Sequence, residues 1–174
     1  MQELEARALV HSPPPAVYEH LVDFPRYAEH SRYLERVTPV DGGEAGRAYD
    51  IRAGWWRLQH TVRSTVTELS EPDRIAWRID GDLAAGGEWD LRPTSPPGDA
   101  ASATDLRLAI RYDPASAAAV LDLPALVPVE SVLNRAASAL TTEAERVLES
   151  VVRDIDGPER SVAVEVTPPG TVDA

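Results

Sequence analysis

The stretch VESVLNRAASALTTEAERVLESVVRDIDGP, residues 129–158, decides the fold. Val129, Val132, Leu133, Ala136, Leu140, Ala144, Val147, Leu148, Val151 and Ile155 recur at the three-and-four spacing of one helical face. Gly157-Pro158 then supplies a stop, because glycine ends a helix readily and proline cannot continue one. The spacing predicts one long amphipathic helix over 129–156. Such a helix needs an apolar surface to lie on.

The residues before it read as that surface. Arg74 to Asp80 alternates with Ile75, Trp77 and Ile79 on one face, and Thr104 to Asp113 places Leu106, Leu108, Ile110 and Tyr112 together. Tyr33 to Val40, Arg47 to Ala53, Trp56 to Leu69 and Gly86 to Pro93 add further strands. Asp41-Gly42-Gly43 and Glu71-Pro72-Asp73 are turn signals between them. Strands at short intervals joined by hairpin turns predict an antiparallel meander and not βαβ units. At the start, Leu4, Ala6, Ala8 and Val10 alternate as a strand that ends at His11-Ser12-Pro13-Pro14-Pro15. Ala16, Val17, His20, Leu21 and Phe24 then follow helical spacing, and Arg26 to His30 suits a second short helix. Ala115 to Val127 is apolar but interrupted by Pro124, as a short helix or a lid-like loop would be. The expected architecture is α+β: about six to seven antiparallel strands curved around the long C-terminal helix, with two short helices after the first strand. Residues 1–156 form the domain. Residues 157–174 are expected to be a flexible tail, although Ser161 to Val166 alternates weakly, in the manner of an edge strand.

Composition narrows the function. The 174 residues suit one domain, and none of the 17 basic residues is a lysine. Schiff-base chemistry is thereby excluded. With no cysteine there is no disulfide, thiolate nucleophile or Cys-based zinc site. The net charge of −12 repels phosphate backbones, so nucleic acid is not an expected partner. No apolar run reaches the roughly 18 residues of a membrane span, and Met1-Gln2-Glu3-Leu4-Glu5 lacks the basic start of a secretory signal. A cytoplasmic location follows as the expectation. Acids spread along the whole chain suit a salt-rich habitat, while the missing lysine also fits a GC-rich genome.

The order strand, two short helices, meander and terminal helix resembles the START/Bet v 1-like superfamily, which includes polyketide cyclases. The opening from Ala8 to Phe24 is similar to the entry of that family, with a strand, a Pro-containing turn and a helix ending near an Asp. Glu71-Pro72-Asp73-Arg74-Ile75-Ala76-Trp77 resembles its hairpin of a proline turn and an aromatic strand. Asp23-Phe24-Pro25-Arg26-Tyr27 matches the Asp-x-x-x-Tyr of the coenzyme Q-binding subgroup. Tyr27 to Leu34 departs from the family, lacking the Trp and Pro many members carry there. The resemblance implies a helix-grip fold, named for a sheet that curls around the long helix, with a pocket between the two for a lipid, isoprenoid, quinone or polyketide.

Alternation nominates Tyr49, Ile51, Leu58, His60, Val62, Trp77, Trp89, Leu108 and Tyr112 as the pocket's sheet side, and Leu133 and Ala137 as its helix side. Core packing is the competing role for each of them. His60 shares the Leu58/Val62 face, so its imidazole is either a candidate acid–base group or a buried histidine tied to the backbone. Spacing offers no metal site: His11, His20 and His30 lie nine and ten residues apart on different elements, without a His-Glu-x-x-His. No serine sits in a nucleophile elbow, and Gly42-Gly43 and Gly86-Gly87 lack the strand-to-helix setting of a phosphate loop. No cofactor is implied, and no oligomeric state is set. Trp55-Trp56, adjacent on a strand, must point to opposite faces unless a bulge intervenes. A hydrophobic-ligand carrier, a cyclase or dehydratase, and a protein-interaction module remain open.

Overall fold

The periodicities resolve into eight strands and four α-helices in a computed structural model that describes residues 1–40, 47–55, 58–120 and 128–171. The strands are β1 (Gln2–Val10), β2 (Leu34–Val40), β3 (Ala48–Trp55), β4 (Leu58–Ser70), β5 (Arg74–Asp80), β6 (Ala85–Thr94), β7 (Ala103–Tyr112) and β8 (Val164–Thr171). The helices are α1 (Pro14–Leu21), α2 (Tyr27–His30), α3 (Pro114–Val120) and α4 (Val129–Asp156), with a 3-10 turn at Phe24–Arg26. One sheet runs β2-β3-β4-β5-β6-β7-β1-β8, with every neighbouring pair antiparallel. The turn at 41–43 and the side chains of Trp55, Trp56 and Leu58 lie outside the described residues.

Period-two alternation puts Leu4, Ala6, Ala8 and Val10 of β1 on the same face as Leu106 and Leu108 of β7, with Ala6 opposite Leu108 and Ala8 opposite Leu106. Trp89, Leu91 and Ile75 continue that face through β6 and β5. Against it lies the C-terminal half of α4, through Ala144, Leu148, Val151 and Val152, all at most 3% exposed. The helix ends where Gly157 takes φ +111°, a left-handed conformation costly to any residue with a Cβ, and donates its N–H to Arg153 O at 2.9 Å.

The N-terminal half of α4 is different. Val132, Leu133, Ala136 and Leu140 belong to the same apolar stripe, yet none is buried, and Val129 is 44% exposed. The stripe runs the whole helix, but among the described residues only its second half is fully buried.

The sheet has eight strands where alternation alone gives six to seven. The additional one is β8, which pairs with β1 from Gln2–Thr171 to Ala8–Val164. The segment from 164 to 171 is therefore paired backbone and not a free tail. Val164 and Val166 pack against the core, while Pro168 and Pro169 interrupt the alternation that would otherwise announce a strand.

On the other face, β1, β6 and β7 carry a charge cluster. Arg107 donates through Nε to Glu5 Oε2 at 2.6 Å, and through Nη1 to Asp90 Oδ2 at 2.6 Å and Glu88 Oε1 at 3.1 Å. Glu3 lies 3.7 Å from the same guanidinium. Glu88 is buried and is also paired with Arg74 and Arg111. Burial opposes the charge on Arg107, but the hydrogen bonds to Glu5, Glu88 and Asp90 outweigh it and hold the guanidinium well above its ordinary value.

Candidate functional site

Between the sheet and α4 lies a cavity of about 410 Å³. That volume falls within the range of roughly 300–1,000 Å³ typical of pockets enclosing small organic molecules. Strands β2 to β7 form its roof; Leu140, Ala144 and Val147 of α4 form its floor; Phe24, Tyr27 and Tyr33 close one side. Nearly all of the lining is apolar or aromatic.

Of the residues nominated by alternation, Tyr49, Ile51, Val62, Trp77, Trp89 and Leu108 line this cavity. Trp77 is seated by Gly87, its partner on β6: a Cβ there would come within 2.5 Å of Trp77 Cζ2 and 2.8 Å of Ala109 O. Only a glycine lets the indole cross the neighbouring strand at that height. Phe24 and Tyr49 meet with ring centroids 4.9 Å apart. The indole N–H of Trp89, 2% exposed, neighbours the Tyr27 hydroxyl but makes no hydrogen bond of ordinary geometry among the described residues.

Tyr112, Leu133 and Ala137 line a second cleft, of about 500 Å³, under the N-terminal half of α4. The two spaces adjoin, sharing Leu83, Ala85, Ile110 and Leu140 as walls. His60 lines neither space. It has the parity of Val62 but lies two residues further toward the Trp55–Leu58 end of the hairpin, opposite Ala53, and is exposed. Periodicity assigns a residue to a face; it does not say how far along the strand the cavity extends.

Two polar residues missed by alternation define the cavity's chemistry. Glu143 of α4, 6% exposed, lines it with one carboxylate oxygen engaged: Oε1 accepts from Ser31 Oγ and from the Arg32 N–H, each at 2.7 Å. Oε2 has a 3.5 Å contact with Arg32 Nε. A signal existed, because Glu143 falls between Leu140 and Ala144 on an otherwise apolar stripe. Tyr27 donates its hydroxyl to Leu21 O at 2.5 Å. Burial pushes that phenol far above its ordinary value, so it stays protonated and cannot act as a base. Replacing Glu143 with leucine strands the Ser31 and Arg32 donors and is expected to cost about 2 kcal/mol. A lowered urea midpoint, partly restored in Glu143→Gln, is the result to look for.

The histidines are arranged by tertiary structure and not by spacing. His20 on α1 and His30 at the end of α2 meet at their Nε2 atoms, 3.4 Å apart, beside Asp154 of α4. His11 is exposed and not part of this cluster. Burial lowers both imidazoles below the ordinary value.

A family model described as polyketide cyclase / dehydrase and lipid transport matches residues 1–156. No curated protein matches the chain in sequence. Among solved structures, the chain is similar to the Zhui aromatase/cyclase from a Streptomyces species, at TM-score 0.71 and 16% identity over 92% of this chain and 98% of that one. A protein from Thermus thermophilus, TTHA0849, gives TM-score 0.67 at 15% identity, covering 88% and 96%. A START superfamily protein from Mycobacterium smegmatis gives 0.63 at 13%, covering 88% and 99%. At these identities the likeness is one of fold.

Proposed function

The chain belongs to the polyketide cyclase/dehydrase and lipid transport family, and from that premise we propose that it binds a small, largely apolar molecule between the sheet and α4. The observation that carries this is the mismatch along α4. An apolar stripe continues through Leu133, Ala136, Ala137 and Leu140, and these side chains border open space. Proteins rarely leave such volume next to an apolar surface, because each unfilled gap forfeits dispersion contacts. An apolar ligand would recover them. The aromatic walls at Tyr49, Trp77 and Trp89 favour a flat ring system such as a quinone or an aromatic polyketide, and the unpartnered Trp89 N–H would suit a carbonyl oxygen.

Among the described residues no helix is long and apolar enough to cross a membrane, and a cytoplasmic carrier is the form of this reading. The acidic excess suits a salt-rich cytoplasm, in which screening shortens the reach of its self-repulsion to about 3 Å at 1 M. Titration with a neutral naphthoquinone is the direct test. Saturating quenching of tryptophan emission at one equivalent is expected. Quenching that grows linearly without saturation counts against a bound state.

Glu143 favours a second reading, a cyclase or dehydratase. A carboxylate on the wall of an apolar cavity is placed to take a proton from carbon flanked by carbonyls and to return it to the departing hydroxyl as water leaves. Glu143→Gln discriminates between the two. A carrier keeps its affinity in that variant, whereas the enzyme keeps binding and loses turnover of a poly-β-ketone substrate.

A further inference from the structure

We propose that His20, His30 and Asp154 form a zinc site, separate from the ligand cavity, on the outer side of α4. His20 Nε2 lies 3.4 Å from His30 Nε2 and 3.4 Å from Asp154 Oδ2. Both separations are long for hydrogen bonds, which cluster near 2.7–3.2 Å. One Nε2 hydrogen also cannot point at two acceptors at once. Both do match the edge of a tetrahedron: ligands held about 2.0–2.1 Å from a central zinc sit about 3.3 Å from one another. All three ligand atoms lie within 4.8 Å of each other.

The surroundings fit the same reading. The ring centroids are 5.5 Å apart with planes inclined at 48°, so the imidazoles meet through their Nε2 edges and are not stacked. His30 Nδ1 is 2.9 Å from Ser150 Oγ. An Nδ1–H donated to that hydroxyl leaves the Nε2 lone pair pointing at His20, which is how a ligating histidine is normally oriented. His30 is 7% exposed, and the His20 side chain 13%, so both rings are held by packing before any ion arrives.

Charge around the cluster is mixed. Arg26 donates to Asp154 Oδ2 at 2.9 Å and so competes for the same oxygen, while Glu29 lies 3.7 Å from Arg26 and adds a second carboxylate. A dication would displace Arg26 toward Glu29, whose exposed side chain is free to receive it. Two nitrogens and one oxygen leave a fourth tetrahedral position for water. It would open onto the surface cleft that His30, Glu29, Ser150 and Asp154 help to line.

Tag-free, chelator-treated protein titrated with zinc chloride in a calorimeter is the experiment. One equivalent is expected to bind, and cobalt(II) in its place is expected to show the intense visible bands of a tetrahedral ion. His20→Gln and Asp154→Asn, both near the surface, should each weaken zinc binding by more than tenfold, and Ser150→Ala by roughly tenfold through the loss of the orienting bond. His11→Gln should leave it unchanged. Circular dichroism checks that each variant is folded, and naphthoquinone binding, measured alongside, should not move. Absence of a one-equivalent zinc isotherm, or one that survives His20→Gln in folded protein, overturns the site without touching the cavity reading.

Discussion

Replacing Arg107 with methionine is expected to lower stability by about 3 kcal/mol, the cost of leaving a semi-buried carboxylate cluster without its central cation. Glu3, Glu5, Glu88 and Asp90 all converge on that guanidinium. Arg74 and Arg111 still reach Glu88 in the variant, which keeps the loss at the lower end for a broken buried network. In a chain of 174 residues a change of this size moves the melting temperature by about 6–12 °C. Salt gives the result its signature. Repulsion among four carboxylates is screened at molar ionic strength, so the variant should regain much of its deficit in about 1–2 M salt, whereas a packing defect would not respond in that way. A salt-independent deficit would mean that the methylene stem of Arg107, and not its charge, carries the stabilisation.

Val147→Trp carries the second large effect. Val147 lies on α4 and faces the cavity. In a filled core, forcing an indole into the space of an isopropyl group costs about 1–3 kcal/mol or more. Over an open cavity of about 410 Å³ the added ring has somewhere to go. The variant should therefore keep its melting temperature within about 2 °C while losing naphthoquinone affinity by about 100-fold, equivalent to about 2.7 kcal/mol. Normal binding by a stable variant would show that the probe sits elsewhere, and a marked loss of stability would show that the space is filled by the protein itself.

The sheet is legible in the sequence because both of its faces write a period-two pattern, and Arg74 to Asp80 matches β5 residue for residue. The long helix is legible from its stripe to within a residue of its end. What alternation cannot supply is position along an element. It gives His60 the parity of Val62, but the strand outruns the cavity there. It groups Tyr112, Leu133 and Ala137 with the main pocket, although they line the adjoining cleft, because nothing in a helical stripe tells which turns are covered. Glu143 escapes for the opposite reason: attention to apolar residues passes over the acid among them. The His20–His30–Asp154 cluster has no local signature at all, since three helices brought together by folding supply one ligand each.

The family match stops at residue 156, so β8 lies beyond the shared domain, along a strand edge that would otherwise face solvent. An open β-edge is an invitation to other chains, and β8 answers it from within the same molecule. It also declines to pass the invitation on, because one of any two successive residues turns its N–H to the open edge, and at Pro168-Pro169 that donor is missing. A chain trimmed back to the shared boundary should keep its cavity and lose this protection. Such a fragment would gain a tendency to polymerise edge to edge, visible as concentration-dependent light scattering that the full chain does not show.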